Sequence, residues 1–237
     1  VLPHETIARI LEGGQSVCRD AGIPLAGGHS IDSVEPIYGL VAIGLVNPKH
    51  LKRNSDARPG DVLILGKPLG VGILSAALKK DLLDAEAYAT MIDATTRLNR
   101  PGTELATLDG VHALTDVTGF GLLGHTLEMA RGANLTAHLD SRAIPFLPNV
   151  IDLGSSGIKT GASGRNWTSY GAGVDISADA PPFLQDLLTD PQTAGGLLAA
   201  CAPDAQESVL KTFRGHGFDR ATVIGKLEAG PARVVVR

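Results

Sequence analysis

The chain has 237 residues, 43% apolar and 19% charged, a globular balance that excludes a disordered chain and a disulfide-stapled miniprotein. Its 25 acidic and 21 basic side chains give a formal net charge of -4 with no run of like charge, so the basic footprint of a nucleic-acid binder is missing. Cys18 and Cys201 stand outside any CxxC or Cys/His cluster, no apolar run reaches the ~18 residues of a spanning helix, and Val1-Leu2-Pro3-His4 does not show a basic n-region followed by an apolar h-region. A cytoplasmic protein without membrane contact is expected.

Pro3 suits a first helical turn and Ile7, Ile10, Leu11 and Cys18 share a face, which predicts an amphipathic helix over 4–21 with Cys18 in the core. Residues 23–26 read as a short extended piece running into Gly27-Gly28-His29-Ser30, and Tyr38 to Val46 as a buried strand. The proline-bearing, polar stretch 47–60 contains the boundary: 1–48 forms one part, 49–60 a connector and 61–237 a second domain. Beyond it, strands are expected at 62–65, 112–115, 135–139, 196–200, 222–227 and 233–236. Helices are expected at 71–80, 85–98, 122–131, 182–188 and 204–213. This mixture is an α+β fold with a mixed sheet. Residues 154–180, rich in Gly and Ser and without periodicity, read as a long functional loop.

Glycine makes up 29 of the 237 residues, about 12% against a usual ~7%, and clusters where backbone can approach a ligand. Gly60 to Gly66 followed by Lys67-Pro68 imitates a P-loop, but five residues separate the glycines where four are needed, and Pro68 occupies the hydroxyl position. Gly119-Phe120-Gly121-Leu122-Leu123-Gly124 is a literal GxGxxG between a strand and a helix, with Asp140 ending the next strand. That pattern allows a dinucleotide site and hence an NAD-dependent oxidoreductase. Asp116, just before it, argues instead for Mg²⁺-nucleotide binding, because a carboxylate beside a polyphosphate needs a cation between them. A third reading makes the glycines packing residues and Asp116 a helix cap. His125 reads as a packed histidine, and the turn Thr189-Asp190-Pro191-Gln192-Thr193-Ala194-Gly195-Gly196 as an ordinary helix-to-strand connection. The paired amides of Gly27-Gly28 with His29 and Ser30 suit phosphate oxygens or an adenine edge.

Three segments in this order, Leu25-Ala26-Gly27-Gly28-His29-Ser30-Ile31-Asp32, Leu114 to His125 and Asp190 to Leu198, closely resemble the selenophosphate synthetase (selenide, water dikinase) family. Glu35 to Leu40, Lys67-Pro68-Leu69-Gly70 and Arg165-Asn166 add to the likeness, which runs from about residue 4 to the C-terminus. The second and third segments are also similar to the wider aminoimidazole ribonucleotide synthetase-like group, so that fold is implied. The resemblance further implies an enzyme, a phosphotransferase that converts ATP, selenide and water to selenophosphate, AMP and phosphate, with Mg²⁺ and a homodimer. Carried over by position, Gly28, His29 and Ser30 correspond to a nucleotide-contacting segment and Asp116 to a magnesium-binding aspartate. The family's reactive Cys or selenocysteine, its neighbouring Lys and further aspartates have no counterpart here. By that resemblance 1–48 is the remnant of an ATP-binding and dimerisation domain, no catalytic residue is assigned, and the chain alone is expected to be inactive. A noncatalytic nucleotide-binding or dimerisation module is the remaining alternative.

Overall fold

The computed structural model describes residues 2–237, and the chain divides after Pro48 into a small unit and a large one, Lys49–Arg237. The small unit opens with α1 (His4–Ala21). It ends in a Schellman arrangement: Gly22 takes φ +73°, its amide donates to Arg19 and the Ile23 amide to Cys18. Cys18 is the one buried side chain of this helix, whereas Ile7, Ile10 and Leu11 are exposed. The segment after α1 folds back so that the Tyr38 ring lies over Gly14, leaving no room there for a Cβ.

The strand expected over Tyr38 to Val46 does not form. Val41, Ile43 and Leu45 are more than 90% exposed, and among the described residues no segment runs alongside to complete a ladder. Apolar composition favours a strand, but a strand exists only where a neighbour satisfies its amides and carbonyls.

The large unit begins with two 3-10 turns, Pro48–His50 and Asn54–Asp56. It continues with β1 (Val62–Leu65), α2 (Val71–Leu78), α3 (Ala85–Thr96), α4 (Pro101–Leu105), β2 (Val111–Asp116), α5 (Gly121–Ala133) and β3 (Leu135–Leu139). Then come α6 (Val150–Ser155), α7 (Gly161–Tyr170), β4 (Val174–Ile176), α8 (Leu184–Leu188), β5 (Leu197–Cys201), α9 (Gln206–Gly215), β6 (Thr222–Ala229) and β7 (Arg233–Val236). Residues 54–56, read as connector, pack closely on α5, where a Cβ at Gly132 would lie 3.2 Å from the Ser55 nitrogen.

The seven strands form one mixed sheet in the order β2-β5-β1-β6-β3-β7-β4, antiparallel except for the β3–β7 and β7–β4 pairs. Its centre is covered on both faces, which explains the unbroken apolar runs of β1 and β5. Leu63 and Leu65 face the cluster built with Leu122, Leu123 and Leu127 of α5, while Ile64 faces the cluster of Val209, Leu210 and Phe213 of α9. Along β5, Leu198 and Ala200 join the first cluster and Leu197, Ala199 and Cys201 the second, the period of two that a strand imposes. A third cluster packs α2, α3 and α6 through Ile73, Leu74, Met91 and Val150.

The long loop expected over 154–180 is instead largely ordered: α7, a 3-10 turn at Gly171–Gly173 and β4. Thr160 Oγ1 caps α7 by accepting the Ser163 amide at 3.2 Å. The buried side of α7 is Ser163, Asn166 and Tyr170, so hydropathy carries no helical period there. No helix among the described residues is long and apolar enough to cross a membrane.

Phe213 is fully buried, with its ring against Gly66, where a Cβ would fall 2.5 Å from Cε1. Phe213→Ala should cost about 3–5 kcal/mol in urea unfolding. A loss below about 1 kcal/mol would mean that the α9 face does not carry the sheet.

Candidate functional site

The end of β2 is where the expected site lies in the large unit. Asp116 is the last residue of that edge strand, opposite Leu197 of β5. Strand alternation sends Val117 into the core and leaves Asp116 exposed. The next turn is fixed at both sides: the Val117 amide donates to Gly196 at 2.9 Å, and the Thr118 carbonyl accepts from Gly121 at 3.0 Å and from Gln192 at 3.0 Å. No hydrogen bond or ion pair engages the Asp116 carboxylate among the described residues. It is not the cap of α5, whose first turn receives no side-chain cap.

The three glycines of the GxGxxG string do different work. Gly121 holds φ +68° and lies so close to Thr189 that a Cβ would come within 2.7–2.9 Å of its backbone. At Gly124 a Cβ would strike Phe120 at 2.5 Å and the Tyr170 ring at 2.9 Å. These two are packing glycines. Gly119, by contrast, has no atom within 4 Å of an added Cβ and no positive φ, so neither packing nor backbone geometry demands a glycine there.

The segment 189–196 joins the parts of the site. Gln192 Oε1 accepts the amides of Gly70 (3.0 Å) and Val71 (3.2 Å), and its Nε2 donates to the Asp190 carbonyl (2.8 Å) and carboxylate (3.0 Å). Asp190 Oδ2 accepts the Ile73 amide at 3.1 Å, so both side chains serve as caps for α2. The Asp190 carboxyl is wholly buried, and its desolvation, partly offset by the Ile73 amide and Gln192, pushes its pKa up to about 7. Its Oδ1 sits where a Cβ on Gly72 would be, 2.3 Å away.

Lys67 is a second buried charge of this region. Its Nζ donates to Ala94 (3.0 Å), Arg97 (2.7 Å) and Ala194 (2.7 Å), using all three protons on backbone carbonyls. Two of those carbonyls belong to the end of α3, the negative end of its dipole. Burial, helped by the Arg97 charge, pushes its pKa down to about 8. Thus the P-loop imitation ends in a lysine already committed to structure. Asn99 ties in as well, donating to Gly195 at 2.8 Å.

His125 is buried beside the site. Its Nε2 lies 3.3 Å from Thr118 Oγ1, and Nδ1 is 3.1 Å from the Glu128 carboxylate but off the line a hydrogen bond requires. It is a packed residue. Gly28, His29 and Ser30 lie in the small unit, exposed, and an added Cβ at Gly27 or Gly28 would meet nothing within 4 Å. Lys67, Asn99, Asn166, Asp190 and Gln192 carry roles that residue patterns did not show; the one available signal was the density of uncharged polar side chains between Thr189 and Gly196.

The dinucleotide reading fails on topology. A dinucleotide fold needs neighbouring parallel strands joined by the helix, but β2 pairs only with β5 and antiparallel, while β3 lies between β6 and β7. Asp140 Oδ1 instead accepts the Arg142 amide at 3.0 Å in a local turn.

Comparison with known proteins agrees with this arrangement. The family described as AIR synthase related protein, C-terminal domain, matches residues 58–237, and the corresponding N-terminal domain matches residues 1–46. Over 236 residues, 100% of this chain, it is 68% identical to selenide, water dikinase of Pseudomonas straminea, and 67% identical to that of Burkholderia orbicola strain MC0-3. The chain belongs to the selenide, water dikinase family. It spans about two thirds of the length of these relatives, 66% and 67%. The hydrogenase maturation protein HypE in complex with ATP shares the fold, with TM-score 0.55 and 22% identity over 78% of this chain and 49% of that one. The family's aminoimidazole ribonucleotide synthetase-like fold is therefore the one observed here, and neither alternative reading of the sequence is favoured.

Lys67 and Asp190, buried in this family member, have opposite pH signatures. Asp190 titrates near 7 when folded and near ~3.9 when unfolded, so its penalty is absent below about pH 4 and fully developed above about pH 7. Thermal unfolding should therefore occur at higher temperature at pH 5 than at pH 8, and Asp190→Asn should flatten that slope. A variant retaining the full slope would assign it to other groups. Lys67→Met removes one donor from each of three carbonyls and should cost at least about 3 kcal/mol in chemical unfolding.

Proposed function

We propose that the protein to which this chain belongs, when it includes the part its relatives carry beyond the matched two thirds, carries out the reaction after which its family is named, converting ATP, selenide and water to selenophosphate, AMP and phosphate. The identity of about two residues in three with selenide, water dikinases across the whole chain supports this reading. The observation that carries it in the structure is the unengaged Asp116 carboxylate beside the open backbone of Gly119. Exposed carboxylates cost little when solvated, but beside the open Gly119 backbone a polyphosphate would meet this one, and like charges there repel unless a cation lies between them.

Mg²⁺ fits that donor set. It binds through one or two carboxylates together with substrate phosphates and keeps several waters, so Asp116 would supply one of its oxygen ligands; among the described residues no group of three or more His, Cys, Asp or Glu gathers to supply the rest. When bound it neutralises charge on the phosphoryl oxygens. Asp116 would hold the cation, which would supply charge neutralisation there, while Gly119 leaves room for close approach without a side chain. The HypE relative binds ATP on this same fold, and the family name is that of a kinase, which together support ATP as phosphoryl donor.

In the small unit, Gly28, His29 and Ser30 are read as the nucleotide-contacting segment. Neither packing nor a positive φ requires glycine at 27 or 28, so the glycines serve an approach from outside the unit's own packing. His29 and Ser30 add a ring nitrogen and a hydroxyl for nucleotide polar edges. Residues 1–48 are assigned to an ATP-binding and dimerisation domain, and the assembly to a cytoplasmic homodimer.

In the full-length protein, Asp116→Asn should leave the unfolding temperature within about 2 °C of wild type and lower ATP-dependent selenophosphate formation, followed by phosphorus NMR, about 100-fold or more. Activity near wild type at millimolar Mg²⁺ would remove Asp116 from the site. Gly28→Val should weaken ATP binding at least about tenfold in calorimetry by blocking backbone approach. Unchanged affinity in a folded variant would make the turn purely structural.

A further inference from the structure

We infer that Asn166 and Tyr170 of α7 are positioning residues for the turn after Asp116, holding its Gly119 and Phe120 peptide units in one orientation beside the carboxylate. This rests on the reading of Asp116 as the cation-holding carboxylate. Asn166 is buried, and its Nδ2 donates both protons across two segments: to the Gly119 carbonyl at 2.9 Å and the Thr189 carbonyl at 3.0 Å. One helical turn later, the Tyr170 hydroxyl donates to the Phe120 carbonyl. Residues four apart share a helix face, so a single face of α7 grips two consecutive carbonyls of the turn.

The consequence follows from planarity. With the Gly119 carbonyl drawn toward α7, the Phe120 amide of the same trans peptide must point the opposite way. The rotations of the chain between Asp116 and Gly121 are then limited at every carbonyl after Val117: Thr118 by Gly121 and Gln192, Gly119 by Asn166, Phe120 by Tyr170. Gly124 is what lets the Tyr170 ring reach this position, and Gly121 lets Thr189 approach close enough to share Asn166. An apolar face on α7 would bury as well but could not distinguish one peptide orientation from another, whereas an amide and a hydroxyl bonded to specified carbonyls do.

The test is Mn²⁺ binding to the full-length protein in the presence of ATP, followed by electron paramagnetic resonance, which reads the site without turnover. Groups bonded directly behind a metal ligand usually change metal affinity about 10–100-fold when removed; Asn166 acts one step further out, through the turn, so Asn166→Ala should raise the Mn²⁺ dissociation constant about tenfold, the low end of that range. Tyr170→Phe, which deletes a single hydroxyl, should raise it about threefold, the low end of what one hydrogen bond is worth. Thr160→Ala, which removes the cap of the same helix away from the turn, should lower the unfolding temperature and leave Mn²⁺ affinity within about twofold of wild type. Asp116→Asn is measured alongside. If it binds Mn²⁺ as wild type does, the metal reading itself fails and the inference with it. If Asp116→Asn loses Mn²⁺ while folded Asn166→Ala and Tyr170→Phe bind it normally, or if Thr160→Ala weakens it as much as they do, α7 is structural support only and the inference is overturned. Should Asn166→Ala not fold, Tyr170→Phe decides by the same criterion.

Discussion

A helix exposes amides at its start that must find acceptors, and α2 has none of its own. It begins after Gly70 at φ +123°, and no side chain at its own N-terminal cap contributes. Its acceptors come from about 120 residues further along the chain, where Gln192 receives Gly70 and Val71 and Asp190 receives Ile73. Gln192 uses all four of its side-chain hydrogen-bonding positions in doing so. Once 190–192 is held against α2, the segment that follows has one course: Gly195 passes against the Val117 carbonyl and Gly196 against the Lys67 backbone, each too closely for a side chain. The turn bearing Asp116 is fastened to that same segment through Val117 and Thr118.

The two buried charges next to the site follow one rule, unlike buried Asp61, which faces the His112 ring. Lys67 and Asp190 are each compensated by backbone dipoles, carbonyls for the ammonium and amides for the carboxylate, with the Gln192 amide group added at Asp190. Backbone dipoles are fixed by the fold and cost no side-chain entropy to align, so they favour one arrangement of the elements. The penalty of burial persists in the direction of both titrations, down for Lys67 and up for Asp190. Asp116 is their opposite: a charge at the surface with nothing committed to it. A carboxylate so placed next to a rigidly held turn is available for a ligand, while the buried charges are not.

Much of the large unit was legible because its strands and helices obey simple periods. The runs at 62–65 and 135–139 match β1 and β3, and the helix at 122–131 is α5 less one residue at its start and two at its end. The family resemblance was legible too, since it lies in contiguous short segments. What misled was local composition at two places. The Gly- and Ser-rich stretch around α7 contains a helix whose buried face is polar, and the apolar stretch 38–46 lacks the neighbour that makes a strand.

By itself, then, the amino-acid sequence determined which residues could bear charge next to a phosphate, where most elements of the sheet lie, and to which family the chain belongs. These depend on contiguous residues and on the periods of helix and strand. Only the tertiary structure decided that Gly121 and Gly124 are packing glycines while Gly119 is open, and that Lys67 is already engaged. It alone placed Asn166 across the Gly119 and Thr189 carbonyls. Each of these is a contact between segments tens of residues apart, set by hydrogen-bond acceptors that no local pattern announces.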